Sequence, residues 1–204
     1  IATMNLALDA IKNPKVIDDH EKVKRYLQMI RDENKRMHAQ VENVLRISKL
    51  EEKELEITKS NNNVHEIINE AIEHVNLIIE DRQGKITTHL DATRTSALLN
   101  DVHFTNVFVN ILDNAIKYSP NPPVIDIYTE NINEFILIKI KDNGAGMSKA
   151  AQKRIFEKFY RVGDEHTRKA KGTGLGLYLT RKIVEDHHGS IFVEDHKPSG
   201  SNFI

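Results

Sequence analysis

The sequence predicts an α+β protein, a two-layer sandwich of helices on a mixed sheet, preceded by a helical hairpin. Three observations predict it. Residues 1–50 repeat apolar positions at three-four spacing and offer no strand pattern. From about Leu50 onward strands and helices alternate, yet several strands are hairpin neighbours, which favours a mixed sheet over a doubly wound parallel one. Third, Asn106–Pro120 (NVFVNILDNAIKYSP) reads as a helix with two unlike faces. Phe104, Val107, Phe108, Ile111, Leu112 and Ala115 form an apolar stripe, while His103, Asn106, Asn110, Asp113, Asn114 and Lys117 form a polar one.

In chain order, Ile1, Met4, Leu8 and Ile11 start a helix that Asn13-Pro14 ends. Asp18 or Asp19 is placed to cap the next. Val23, Leu27, Ile30, Asn34, Met37, Val41, Val44 and Ser48 then make a seam over about four heptads. Asn34 on that seam is the kind of polar residue that fixes register. A lone hairpin buries little, so pairing with a second copy as a four-helix bundle is expected. The pattern changes near Leu50, which sets the domains at 1–52 and 53–204. Leu55–Thr58 reads as a strand, Asn61–Asn63 as a turn with a cap, and Val64–Ile79 as an amphipathic helix burying Val64, Ile67, Ile68, Ala71, Val75 and Ile78. Lys85–Leu90 and Ser96–Leu99 read as strands. The Asn-rich helix comes next, stopped by Ser119-Pro120. Val124–Thr129 and Phe135–Ile140 form a hairpin across Asn131–Asn133. A short helix near Ser148–Arg154, a charged segment to Lys171, a glycine turn, a helix to His188, and strands at Ile191–Glu194 and Asn202–Ile204 complete the chain.

Composition narrows the function. The 204 residues allow one domain with an appendage, or two small ones. A net charge of −1 argues against a nucleic-acid-binding surface. With no cysteine there is no disulfide, thiolate metal site or thiol nucleophile. No apolar run approaches the roughly 20 residues needed to cross a bilayer, and no signal peptide is visible. The chain opens in mid-helix pattern without Met, so it reads as part of something longer, and a membrane would be met only through segments outside it.

The chemistry concentrates in four stretches. Asn110 and Asn114 sit one turn apart, so their amides can converge on one ligand. Asn costs about 0.5 kcal/mol in a helix relative to Ala, although a surface helix that merely carries Asn accounts for the pattern equally well. Asp142 ends an apolar strand, and Gly144 and Gly146 behind it allow a sharp turn and a close ligand. Taken alone, that is an ordinary Asp-Gly turn. Gly172–Leu177 (GTGLGL) opens a helix whose free N–H groups suit phosphate. It matches neither the dinucleotide G-x-G-x-x-G nor the P-loop, and the protein-kinase H-R-D and D-F-G signatures are absent. Between the glycine turns, Phe156 and Phe159 are spaced to pack as a peg. Arg161, Arg168, Lys169 and Lys171 come after them in a basic loop able to close over a polyphosphate, or simply to sit in solvent.

Together, N-x-x-x-N on a helix, D-x-G-x-G, F-x-x-F and G-x-G-x-G, in that order, resemble the ATP-binding domain of sensor histidine kinases. That domain belongs to the wider GHKL group with type II topoisomerases, Hsp90 chaperones and MutL. NILDNAIKYSP, DNGAGM, IFEKFYR and GTGLGLYLTRKIVEDHHG look like its four boxes, and Gly200-Ser201-Asn202-Phe203 like its final glycine box. The resemblance covers about Leu55–Ile204 and implies the Bergerat ATP-binding fold. The hairpin before it looks like the family's dimerisation and histidine-phosphotransfer domain.

The resemblance implies roles residue by residue. Asn114 would ligate Mg²⁺ bridging the ATP phosphates, with Asn110 supporting it. Lys117 would approach the phosphates, and Tyr118 would flank the adenine or ribose. Asp142 would accept from the adenine amino group, with Gly144 and Gly146 making room. Thr173, Gly174, Leu175, Gly176 and Leu177 would hold the end of the lid and the phosphates, and Arg161 would meet the transferring phosphoryl group. ATP-hydrolysing relatives have Glu at the position of Asn110. An amide cannot take a proton from water at neutral pH, so Asn110 fits transfer to another nucleophile. None of the ten histidines lies in the family's H-E-x-x-T-P-like acceptor box. Ile1-Ala2-Thr3-Met4 resembles the stretch directly after the proline of that box, which puts the acceptor before Ile1. The implied function is a histidine kinase acting with ATP and Mg²⁺, with a homodimeric bundle and a response regulator receiver domain as partners. The implied location is the cytoplasmic part of a membrane-anchored sensor. The alternative is a non-catalytic ATP-sensing or scaffold module of the same fold.

Overall fold

The computed structural model describes residues 2–51, 58–120, 122–162 and 173–204. The chain divides into two compact units, Ile1–Glu56 and Ile57–Ile204.

The first unit is helical: α1 (Ala2–Ile11), α2 (Pro14–Ile17) and α3 (His20–Glu51). Pro14 does end α1, but it also begins the short α2, a position where its missing N–H costs nothing. Asp19 is the cap: its carboxylate accepts the Lys22 N–H at 3.1 Å. Ala7 is buried; Val23, Ile30 and Met37 of the seam are half-buried. Leu27 and Val41 on the same seam are exposed, as are Leu6, Leu8 and Ile17. Leu8 therefore departs from the expected α1 stripe, whose inner face uses Met4, Ala7 and Ile11. Ile1, and the side chains of Val44 and Ser48, lie outside what is described.

The second unit is the α+β sandwich. Its five-stranded sheet runs β2 (Lys85–Leu90), β4 (Val124–Ile132), β5 (Phe135–Asp142), β7 (Ser201–Phe203), β6 (Val193–Asp195). Only β2 and β4 are parallel; the other pairs are antiparallel. A separate ribbon pairs β1 (Ser60–Asn63) with β3 (Ser96–Leu99). Thus Asn61–Asn63, expected as a turn, is a strand held by its partner, and Asn63 still caps the next helix by accepting the His65 N–H. The expected strand at 55–57 lies outside the described residues.

Helices α4 (Val64–Asp81), α5 (Asp101–Tyr118) and α7 (Gly176–Asp186) form the second layer, and α6 (Lys149–Arg154) lies between β5 and α7 in the chain. Ile125, Ile127 and Thr129 alternate into the core while Asp126 and Tyr128 do not. Ile67, Ile68, Val75, Phe108, Leu112, Ile116, Ile183 and Val184 fill the space between the layers. On α4 the last core position is Ile79, not Ile78, because Ile79 lies one full turn past Val75. The β4–β5 hairpin is longer than expected. Ile132 pairs with Phe135, so the turn is Asn133-Glu134, with Asn133 at φ 51°. Phe156 is buried, but Phe159 is 61 % exposed at φ 65°. The two do not pack as a peg; the chain turns between them.

Candidate nucleotide site

Two clusters at the helix and strand ends of the second unit, joined by α5, hold the expected site residues. The first surrounds Asp142, the last residue of β5. It is 5 % exposed, and its Oδ1 accepts the Gly144 N–H at 2.7 Å and the Ser201 N–H at 3.1 Å. Burial pushes the Asp142 carboxyl up from its ordinary value; those two N–H groups and the charge of His196 oppose the rise. The Ser201 hydroxyl also bonds this carboxyl and favours its ionised form, and a carboxylate has acceptor capacity beyond these bonds.

Backbone packs closely around this carboxylate. The Ala145 N–H donates to the Tyr118 carbonyl at 3.3 Å, tying the turn after β5 to the end of α5. A side chain at Gly144 would meet Asp142 Oδ1 at 2.6 Å and the Tyr118 carbonyl at 3.1 Å. Gly146 is packed against the Gly200 carbonyl. Gly200, at φ 124°, passes so close to the Asp142 carbonyl that a Cβ would collide with it. Only glycine combines that backbone with that approach. Tyr118 is half exposed at the rim, with the Lys117 ammonium 5.2 Å from its ring centre.

The second cluster is where α7 begins. Asn110 Nδ2 donates to Thr180 Oγ1 at 2.8 Å. A methyl group at Gly176 would strike Asn110 Oδ1, so the first turn of α7 lies directly on that amide. Asn110 therefore joins two helices. Asn114 lies one turn further along α5, towards Tyr118; it is half-buried, and no bond holds its amide among the described residues.

Before α7, the Leu175 N–H is 3.4 Å from Thr173 Oγ1, and Leu175 is buried. Gly174, at φ 71°, rests against the Phe159–Tyr160 backbone, and its carbonyl accepts the Phe159 N–H at 3.0 Å. This bond brings together the two ends of the expected lid. Arg161 stands just beyond it, half-buried, and Arg154 covers the Tyr160 ring at 4.4 Å. Leu177 is half-buried in the first turn of α7. Gly172, Arg168, Lys169 and Lys171 lie outside the described residues.

Sequence reasoning missed three participants. Thr180 lies one turn after Gly176, so helical spacing could have found it. Ser201 is next in the chain after the recognised Gly200. His196, whose ring meets the Asp142 carbonyl, gave no local signal.

A buried carboxylate ringed by glycine backbone, with amides on the adjoining helix, fits a class of nucleotide-binding α+β domain. The chain belongs to the family of histidine kinase-, DNA gyrase B-, and HSP90-like ATPases, whose pattern matches residues 99–204. Within that family the domain is the ATP-binding domain of the sensor histidine kinase kind. The sensor protein RprX of Bacteroides fragilis is 35 % identical over 206 residues, covering 100 % of this chain and 40 % of RprX. The sensor protein kinase WalK of Staphylococcus saprophyticus is 30 % identical over 209 residues, covering 100 % of this chain and 33 % of WalK. The chain thus spans well under half of these relatives. Histidine kinase ThkA, solved in complex with response regulator protein TrrA, shares the fold with a TM-score of 0.77 at 23 % identity, over 99 % of this chain and 55 % of that one. Among the described residues no helix is long and apolar enough to cross a membrane.

Proposed function

We propose that the chain binds Mg·ATP and transfers its γ-phosphoryl group to a histidine on a helical bundle, for relay to an aspartate of a response regulator. The 53–204 region is the ATP-binding engine and the 1–52 hairpin the docking and dimerisation element. The place of action is the cytoplasmic side of a membrane-anchored sensor. The observation that carries the reading is Asp142, buried at a strand end, its carboxylate held by the Gly144 and Ser201 N–H groups and closely approached by glycine backbone.

Each residue has a task in this reading. Asp142 accepts from the adenine amino group. Tyr118 flanks the base or ribose, and Lys117 reaches towards the phosphates. Asn110, held by Thr180 and covered by Gly176, fixes the start of α7 so that Thr173–Leu177 offer N–H groups to phosphate oxygens. Asn114 offers a neutral oxygen to the metal. Magnesium commonly takes one or two protein oxygens and fills its shell from phosphates and water. A single neutral amide oxygen from Asn114, beside phosphates and water, suits that habit. When bound, Mg²⁺ supplies charge neutralisation across the phosphates. Arg161 approaches the transferring group from the edge of the lid. Asn110 cannot act as a base towards water, so the group passes to a positioned nucleophile and hydrolysis stays slow.

A bundle suits the first unit, whose exposed Leu27 and Val41 lie on the apolar seam. Sedimentation should show a dimer at micromolar concentration; a monomer would count against that part of the reading.

The central experiment extends the chain upstream of Ile1, supplies γ-labelled ATP with Mg²⁺, and tests the bound label. Acid-labile, base-stable label is the expected result. With ATP binding intact and no label, the non-catalytic alternative would stand instead. Calorimetry should also show Asn114→Ala losing Mg²⁺-dependent ATP affinity at least about tenfold. Undiminished affinity would remove Asn114 from the metal site.

A further inference from the structure

None of the roles above uses the imidazole of His196, yet it stands directly behind Asp142. His196 lies in the turn from β6 to β7. Its backbone N–H donates to the Gly200 carbonyl at 3.1 Å, closing the turn. Its ring Nδ1 is 2.9 Å from the Asp142 carbonyl oxygen. A carbonyl only accepts, so Nδ1 carries a proton whether the ring is neutral or charged. The same turn delivers the Ser201 N–H to Asp142 Oδ1. One turn therefore grips both the main chain and the side chain of Asp142.

A carboxyl group reads a base edge through its own protonation state. Ionised, it only accepts, and it suits an edge bearing an amino group. Protonated, it can donate, and it tolerates a keto edge. Burial works against the ionised form of Asp142, and the positive charge of His196 works for it. Resting on the assignment of Asp142 to base recognition, we propose that His196 is a specificity-determining positioning residue, which orients Asp142 through Nδ1 and, when charged, keeps its carboxyl acceptor-only, so that the site selects an amino-bearing purine over a keto one.

The surrounding charges are consistent with this role. Asp195 and Lys197 flank His196 in the chain. Lys149 of α6 pairs with Asp195 at 2.9 Å and holds that carboxyl below its usual range. Lys141 of β5 turns to Tyr128, its ammonium 4.3 Å from the ring centre. From α5, Lys117 and Tyr118 pair with each other at the rim.

The test is the ratio of ADP to IDP affinity, measured by calorimetry on the 204-residue chain between pH 5 and 8. The two ligands differ at the base edge and share their phosphates, so phosphate titration cancels. Wild type, His196→Asn, His196→Ala and Asp142→Asn are compared. His196→Asn keeps a donor and removes the charge; His196→Ala removes both. In both His196 variants the ratio should begin to fall at higher pH than in wild type, because the charge that favours the ionised carboxyl is gone. At pH 8, only His196→Ala should lose ADP affinity, by about threefold, through loss of the orienting bond. A role confined to folding would not produce that split. If the ratio in both variants tracks wild type at every pH while Asp142→Asn abolishes it, the proposal is overturned and the base-recognition reading stands. If wild type itself shows no preference for ADP, or Asp142→Asn leaves the preference intact, the reading of Asp142 fails and this inference with it.

Discussion

The two ends of the site are built differently. The base end is pinned by the Gly144 and Ser201 N–H groups on the Asp142 side chain, by Ala145 on Tyr118, and by the His196 ring on the Asp142 carbonyl; Ser201 and His196 come from more than fifty residues away. Among the described residues, the phosphate end is held by side-chain and turn bonds, including the Asn110–Thr180 bond and the Phe159–Gly174 bond. A subsite that reads a flat base gains from fixed geometry, whereas a lid that admits and releases ATP must open. Identical chemical changes should therefore have unlike consequences at the two ends.

The largest effect is expected at the base end. Gly200→Ala forces a Cβ into the Asp142 carbonyl at φ 124°, and backbone has no side-chain rotamer through which to yield. We predict a loss of about 3 kcal/mol of folding stability, read from urea unfolding of the second unit. A shift below about 1 kcal/mol would mean that the base end is as pliant as the phosphate end.

The same substitution at the phosphate end should act locally. Gly176→Ala meets the Asn110 amide, the far end of a side chain that can rotate away once its Thr180 bond is broken. The expected cost is about 1 kcal/mol of stability, the worth of that bond. ATP affinity should fall by more than that cost alone would give, because the first turn of α7 moves. Equal losses in Gly200→Ala and Gly176→Ala would erase the contrast.

The contrast also explains what the sequence disclosed. The boxes around Asp142, Gly144, Gly146 and Gly174–Leu177 were legible because each is local: a strand end, a tight turn, a helix entry. The fold class was legible because Ile125, Ile127 and Thr129 alternate and Val107, Phe108, Ile111 and Leu112 form a helical stripe. What stayed hidden depends on distant partners. Asn61–Asn63 has poor strand propensity and becomes a strand only because Ser96–Leu98 pair with it. Phe159 is spaced like a core residue but turns outward to give its N–H to Gly174. Asn110 is spaced one turn from Asn114, and its bond to Thr180, seventy residues on, gave no local signal. His196 meets Asp142 only because β7 pairs with β5 and returns the β6–β7 turn to the end of that strand.

The smallest expected effect probes the far end of α7, where His187 ties that helix to α5. Its ring Nδ1 donates to the Ile183 carbonyl at 2.7 Å, and its Nε2 accepts the Asn100 N–H at 3.1 Å. The second bond requires Nε2 to be unprotonated. Burial holds the imidazole below its ordinary value of 6.5, and neighbouring Lys59 and His188 push the same way, while the bond to Ile183 and the charge of Asp186 oppose them. The edge-on rings of Phe104 and His103 complete its surroundings. Between the lowered folded value and 6.5, the unfolded chain binds a proton that the folded chain refuses. Stability contributed here is therefore fully present above pH 6.5 and is lost as pH falls through that window. The melting temperature should decline from about pH 7 to about pH 5.5 in wild type and decline less in His187→Gln. Because α7 is anchored here and begins at the phosphate end, the acid loss should appear first as faster amide exchange in α7 and at Thr173–Gly176, with Gly144 and Ser201 protected longer. Uniform loss of protection at both ends would show that the two halves of the site open as one.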